Sequence, residues 1–148
     1  MSVEVFATVP LLVILAALAL TDVLTHRLPD AGTIPIGVFG LIVAIASPAG
    51  DLFESLLAAA AGYGLFWGVG AAFYRLRGYE GLGLGDAKLF GAAGAWVGLA
   101  GLAWVLLVAT LMALIYVQAM GARRDTRVAF GPWLCIGFCA VWVGKLIG

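Results

Sequence analysis

Two aspartates, Asp22 and Asp86, stand at the ends of apolar runs in a chain that carries little charge elsewhere. An ionisable side chain at a bilayer edge is costly to hold there, and such residues usually mark functional sites. Two carboxylates brought close together cannot both ionise easily, so they share a proton. The ionised carboxylate then takes a proton from water while the neutral one donates to a carbonyl oxygen. The pair therefore indicates hydrolysis that needs no metal and no serine or cysteine nucleophile.

Glycines surround the second aspartate, in the segment Gly83-Leu84-Gly85-Asp86 with Gly81 just before it. Glycine allows positive φ and lets the backbone approach a bound strand closely. Asp86 is expected at or near a helix N-terminus, where the helix dipole favours the ionised carboxylate. Two simpler interpretations stay open. Asp86 can be a helix N-cap, and the other aspartate can be an interfacial side chain that reaches into water.

Charged residues flank the glycine segment on both sides. Glu80 and Lys88 are either solvated loop charges, or residues that tune Asp86 or bind substrate. An exposed charge needs no function, so the solvated interpretation competes directly with the functional one. Together with Gly83 and Gly85, these two residues form the set of candidate substrate-binding residues.

A metal site is the alternative chemistry for the first aspartate. Asp22, His26 and Asp30 recur every four residues, which would place them on one face of a continuous helix. Pro29 is expected to end that helix before Asp30 joins the face. We therefore predict no metal site and no cofactor.

Composition defines the class of protein. The chain has 148 residues, 64% of them hydrophobic and 11% charged, with a mean hydropathy of +1.13. A soluble domain of this length would lack the polar surface it needs, so we predict an all-α polytopic membrane protein with one domain over residues 1–148. Zero formal net charge gives a nucleic-acid partner no electrostatic support. Cys135 and Cys139 share a helix face, where apolar packing is favoured over a metal pair or a disulfide.

Apolar runs long enough to cross a bilayer, at about 20 residues each, predict about six transmembrane helices. The breaks between them coincide with polar turns, prolines and a cluster of glycines. The predicted spans run over Val3–Leu24, Thr33–Ser47, Leu52–Tyr74, from Asp86 to a break near Gly98–Gly101, from that break to Met120, and over Val128–Ile147.

Basic residues decide the orientation of these spans, because cytoplasmic loops are enriched in lysine and arginine. With six spans, all basic residues except Lys145 fall in or beside three loops on one side of the membrane. With five spans, Arg123, Arg124 and Arg127 would lie on the opposite side from the other basic loops. Both termini are then non-cytoplasmic, and Asp22 and Asp86 lie on the cytoplasmic side at similar depth. The residues in these loops are Arg27, Arg75, Arg77, Lys88, Arg123, Arg124 and Arg127.

Glycine pairs four residues apart predict close contacts between helices. Gly64/Gly68 and Gly94/Gly98 have this spacing, which lets two helix backbones approach one another. We interpret both pairs as structural and not as signs of a dimer.

Ordered motifs around both aspartates resemble those of the type IV prepilin peptidases, a family of GxGD-type aspartic membrane proteases. The glycine segment alone is a weak match, whereas the ordered set is specific and covers most of the chain. The resemblance implies that Asp22 and Asp86 are the catalytic pair. Asp30 is the rival of Asp22, and we prefer Asp22 because it precedes the helix break. The matching pieces are Thr21-Asp22, Leu28-Pro29-Asp30, Thr33-Ile34-Pro35, Glu80 to Leu89, Gly91 to Gly98, and Phe130 to Leu134.

The resemblance also implies a substrate and a place. Members of the family cut a short basic leader from prepilin-like or pseudopilin subunits, just before the hydrophobic helix that anchors the substrate in the lipid bilayer. The expected location is the bacterial inner membrane, with the active site facing the cytoplasm. The chain has no N-terminal region with CxxC motifs, so it resembles the short peptidase-only members of tight-adherence pilus systems, and methylation is not expected.

Two other functions remain as alternatives at this point. A small ion- or proton-conducting membrane protein would use Asp22 and Asp86 to bind a cation or relay protons. It would place these carboxylates near the bilayer midplane, whereas the sequence places them at one edge. A non-catalytic pilus-assembly subunit would tolerate loss of Asp86.

Overall fold

The computed structural model describes residues 3–121, 123 and 128–148. This part of the chain forms helices joined by short turns and contains no strand, which confirms the all-α class. The five helices are α1 (Val3–Thr25), α2 (Asp30–Ala46), α3 (Leu52–Arg77), α4 (Leu84–Ala119) and α5 (Gly131–Ile147).

Helices α1, α3 and α4 are long and apolar enough to cross a membrane, and α2 and α5 are shorter apolar helices of 17 residues each. At 1.5 Å per residue, such a helix extends about 26 Å, close to the hydrocarbon thickness of about 30 Å. The first three predicted spans and the last one fall on α1, α2, α3 and α5. The predicted end of the first helix before Pro29 is also confirmed, because α1 ends at Thr25 and His26 leaves the helix with a φ of 53°.

Helix α4 is broken at Gly98, where φ is 74° and ψ is −179°. Residues with a side chain rarely adopt this conformation, so the break requires glycine. A Cβ on Gly62 of α3 would lie 3.0 Å from the carbonyl oxygen of Phe90 and 3.2 Å from Cδ1 of Leu102. Residues on both sides of the break therefore lie at the same height along α3, which means that the chain reverses direction at Gly98. The predicted break near this glycine is confirmed.

Helix α5 runs beside the second half of α4 (99–119) in the opposite direction. Gly137 packs on the carbonyl oxygen of Val105, and the ring centroid of Trp133 lies 5.0 Å from that of Tyr116. The reversal in α4 and this antiparallel pairing bring the beginning of α5 back to the end of the bundle where α4 begins.

The bundle thus has two distinct ends. The aspartate end, as we call it, holds Asp22 and Asp86. The far end holds Glu4, Gly98 and Lys145, which line one small polar cavity. The beginning of α1 and the end of α5 both lie at the far end.

The first half of α4 (84–97) is the centre of the fold, since every residue from Leu89 to Gly98 is buried. Small residues permit close packing there. A Cβ on Gly94 would lie 2.5 Å from the carbonyl oxygen of Ala58 in α3. The close packing predicted for the Gly94/Gly98 pair is confirmed at Gly94, whereas a Cβ on Gly98 would meet the side chain of Glu54 and no helix backbone.

The same prediction is wrong for the Gly64/Gly68 pair. A Cβ on either residue would meet no other described atom within 4 Å. Helix α3 presents a different face to α4, the one that carries Ala58 and Gly62. Spacing identifies residues that share a helix face, but not the face that a neighbouring helix covers.

Candidate active site

Asp22 lies in the last turn of α1, with only 6% of its surface exposed. Its carboxylate accepts a hydrogen bond from the backbone N–H of Gly131, the first residue of α5. The first N–H groups of a helix have no partner within the helix, and α5 has no side-chain cap of its own. The carboxylate of Asp22 therefore lies at the N-terminus of α5 and takes the place of a side-chain cap. The interfacial interpretation required this side chain to reach into water, and the buried position of Asp22 shows that it does not.

Gly131 is a site residue whose role the sequence did not reveal. A Cβ there would collide with Oδ2 of Asp22 and lie 3.3 Å from Cδ1 of Leu28. This glycine lies in the Phe130–Leu134 segment, one of the pieces that resemble the family motifs. A glycine followed by Pro132 at the beginning of a helix was the available signal.

Asp86 lies in the first turn of α4 and is partly buried. Gly83 holds the N-cap position and provides no side-chain cap. Asp86 is the third residue of the helix, so its predicted place near a helix N-terminus is confirmed and its interpretation as the N-cap is wrong. Gly83 lies next to this carboxylate, because a Cβ on Gly83 would be 4.0 Å from Oδ2 of Asp86.

The two carboxylates lie close enough for the charge of Asp22 to act directly on Asp86. Leu28, in the turn after α1, packs against the beginnings of α4 and α5 and is 9% exposed. A Cβ on Gly85 would lie 2.8 Å from Leu28, and one on Gly131 would lie 3.3 Å from it. The end of α1 and the beginnings of α4 and α5 thus converge on one leucine. Both carboxylates therefore lie at the same end of the bundle, which makes them candidates for an acid–base pair.

Three helices, α2, α4 and α5, begin at the aspartate end. The partial positive charge of a helix N-terminus stabilises a nearby carboxylate by roughly 0.3–1 kcal/mol. Asp30 lies in the first turn of α2, Asp86 lies in the first turn of α4, and Asp22 accepts from the first N–H of α5. Each of the three acids therefore has its own helix N-terminus, which offsets part of the repulsion among them.

Lys88 pairs with Asp30 in the described part of the chain, and not with Asp86. The Nζ–Oδ1 distance is 2.7 Å, and the two side chains are 32% and 58% exposed. An exposed pair contributes at most about 1 kcal/mol, but this one connects the beginning of α2 to the first turn of α4. Asp30, the rival of Asp22, is thus held by a lysine at the surface.

The remaining candidates lie around this centre. Glu80 is exposed in the turn between α3 and α4, where it lines a cavity of about 210 Å³ together with Gly83. Arg123 is exposed, while Arg124 and Arg127 lie outside the described residues. Within the described ranges, histidine, cysteine, aspartate and glutamate residues form no group of three suited to a metal ion.

Comparison with known proteins identifies a family. The profile of the type IV leader peptidase family matches residues 9–118, a stretch that includes both Asp22 and Asp86. No solved structure gives a significant match to the chain.

Several curated relatives carry the name prepilin leader peptidase/N-methyltransferase. The protein of Escherichia coli strain K12 is 40% identical over 123 residues, which make up 81% of this chain and 55% of that protein. The protein of Xanthomonas campestris pv. campestris is 37% identical over 142 residues (93% and 48%), and that of Neisseria gonorrhoeae is 35% identical over 122 residues (82% and 43%). The chain spans about half the length of these curated relatives. It belongs to the type IV leader peptidase family.

Proposed function

We propose that the chain is a membrane aspartic endopeptidase that removes the leader peptide from prepilin-like or pseudopilin subunits. The observation that carries this function is the convergence of Asp22 and Asp86, from two different helices, at one end of the bundle. The name of the relatives, prepilin leader peptidase, supports the substrate class. We propose the peptidase reaction alone.

In the proposed mechanism, Asp22 and Asp86 hold one proton between them and bind a water molecule. The ionised carboxylate removes a proton from the water, whose oxygen adds to the scissile carbonyl carbon. The protonated carboxylate gives its proton to the carbonyl oxygen. When the C–N bond breaks, the first carboxylate passes its proton to the leaving amine, and a hydroxyl proton of the intermediate returns to the second. Either aspartate can take either part.

We place this site on the cytoplasmic face of a bacterial inner membrane. The chain reversal at Gly98 supports six membrane crossings, with both described ends of the chain on the non-cytoplasmic side. Arg75 and Arg77, in the last turn of α3, belong to the aspartate end. Their location supports a cytoplasmic aspartate end by the positive-inside rule.

The proposed partner is a subunit that is itself anchored in the bilayer by a hydrophobic N-terminal helix. A site at the edge of the membrane suits a scissile bond at the cytoplasmic end of that helix. Gly83 and Gly85 lack side chains, so an extended segment can approach the backbone beside Asp86 and pair with it.

Asparagine substitutions test the catalytic pair. Asp22→Asn and Asp86→Asn keep the size of the side chain but remove the shared proton. We expect each variant to lower kcat for cleavage of a purified prepilin by at least about 10²-fold, measured on protein reconstituted in vesicles. The matched control is Asp51→Asn at the far end, where Asp51 accepts from the backbone N–H groups of Phe53 and Glu54. Asparagine also fills this capping role, so the control should cleave at the wild-type rate.

Each outcome has a distinct meaning. A wild-type rate of cleavage in Asp22→Asn or in Asp86→Asn would rule out the assigned catalytic pair. Failure of the wild-type protein to cleave any prepilin in this assay would refute the peptidase function itself. Equal losses in all three variants would show that the assay reports folding and not catalysis.

A further inference from the structure

A cavity of about 210 Å³ opens between the last turns of α3 and the glycine segment before α4. We call it the α3–α4 cavity. Phe66, Trp67 and Ala71 line it from α3, while Gly83 and Leu84 line it from the opposite wall. At about 30 Å³ per water molecule, the cavity has room for about seven waters. This space suits one large side chain.

The cavity adjoins the proposed catalytic pair. Gly83 forms part of its wall and lies next to Asp86, whose Oδ2 would be 4.0 Å from a Cβ on Gly83. Ala87, the residue after Asp86, is buried in the same wall. The cavity lies on the α3 side of α4, whereas Asp22 comes from α1, which does not contact α3 in the described part of the chain. A substrate segment that passes Asp86 on the α3 side of α4 therefore has the cavity beside it.

The lining of the cavity is mainly apolar. Phe66 and Trp67 contribute aromatic rings, and Glu80 is the one lining residue that is charged at neutral pH. Gly83 is exposed and has extended backbone angles, with φ −72° and ψ 145°. Successive side chains of an extended strand point to opposite sides. A strand that passes Gly83 can thus direct one side chain into the cavity while its backbone remains beside Asp86.

We propose that the α3–α4 cavity is a subsite for one large apolar side chain of the substrate, supplied by a residue next to the scissile bond. This assignment presupposes the peptidase function proposed above and adds the part of the protein that selects the substrate residue. Burial against Phe66 and Trp67 stabilises an apolar occupant. Glu80, an exposed carboxylate on the cavity wall, disfavours an acidic occupant by repulsion between like charges.

Two substitutions change the size of the cavity in opposite directions. Ala71→Leu fills it from α3, and Trp67→Ala enlarges it. The matched control is Ala72→Leu, because Ala72 is exposed on the same helix and does not line the cavity. The substrates are purified prepilins in which each residue flanking the scissile bond is changed singly to Ala, Phe or Trp, and kcat/KM is measured in reconstituted vesicles.

We expect Ala71→Leu to lower the preference for Phe over Ala at one flanking position by about tenfold or more. Trp67→Ala should raise the preference for Trp over Phe at that same position, a gain that misfolding cannot produce. Ala72→Leu should leave both preferences unchanged. The subsite is refuted if the wild type cleaves these substrates and neither cavity variant changes any preference, even when overall rates fall. It is also refuted if Ala72→Leu changes the preferences equally, whereas a wild-type protein that cleaves none of the substrates refutes the proposed function instead.

Discussion

At the scale of single residues, Gly131 positions the buried carboxylate of Asp22. Its backbone N–H donates to that carboxylate, and its missing side chain leaves the space that Oδ2 fills. A buried charge without a donor is costly. One glycine therefore provides both the hydrogen bond and the room that a carboxylate needs at this place.

We expect Gly131→Ala to lower kcat for prepilin cleavage by about 100-fold with little change in KM. The added methyl group would collide with Asp22, and a small displacement of a catalytic group has an effect of this size. Gly144→Ala in the same helix is the matched control, because a Cβ there meets no described atom within 4 Å. Thermal unfolding in detergent would check that both variants fold. A wild-type kcat for Gly131→Ala would contradict the proposed role.

At the scale of secondary-structure elements, an ion pair joins the beginnings of α2 and α4. Lys88 and Asp30 are 58 residues apart in the chain, and their charged atoms lie 2.7 Å apart. Lys88 is two residues from Asp86 on α4. The pair therefore helps to hold α4 in position without contact to the proposed reacting groups.

We expect Asp30→Asn and Lys88→Met each to retain prepilin cleavage within about tenfold of the wild type, since an exposed pair contributes only about 0.2–1 kcal/mol. The double variant should be no slower than the slower single variant, because both single changes remove the same interaction. Kinetics of the three variants beside Asp22→Asn provide the measurement. Loss of activity in Asp30→Asn as complete as in Asp22→Asn would contradict this supporting role. Loss in Asp30→Asn together with a wild-type rate in Asp22→Asn would make Asp30 the catalytic partner instead.

The sequence predicted elements better than contacts. Apolar runs located the helices, and the glycines after Val97 located the reversal in α4. The hydrogen bond between Gly131 and Asp22 could not be predicted, because it depends on how α5 packs against α1. The Gly64/Gly68 prediction is wrong for the same physical reason. Local spacing fixes which residues lie together on one helix, whereas the partner of that face is decided by the packing of the whole bundle.

At the scale of the whole molecule, two charged side chains at the far end stabilise the break in α4, one on each side of it. Nζ of Lys145 donates to the carbonyl oxygen of Trp96 at 3.3 Å, at the C-terminal end of the first half. The carboxylate of Glu54 lies beside Gly98, where the second half begins. A cation at a helix C-terminus and an anion at a helix N-terminus are both favourable. The reversal, and with it the return of the chain to the aspartate end, thus has an electrostatic basis.

Three single-cysteine reporters in a Cys135→Ala/Cys139→Ala background test the proposed topology. Ala49→Cys lies in the exposed turn after α2 at the far end, and Tyr79→Cys replaces a residue that is 57% exposed after α3. We expect a membrane-impermeant maleimide to label Ala49→Cys in intact spheroplasts and Tyr79→Cys only after lysis.

The third reporter, Met120→Cys, distinguishes six crossings from five. Met120 is 65% exposed just after α4, and the reversal at Gly98 returns this point to the aspartate end. Met120→Cys should therefore behave like Tyr79→Cys and react only after lysis. If it reacts in intact spheroplasts while Tyr79→Cys does not, α4 crosses the membrane once and the proposed topology is wrong. If Tyr79→Cys reacts first and Ala49→Cys only after lysis, the bundle is inserted the other way round and the aspartates face away from the cytoplasm.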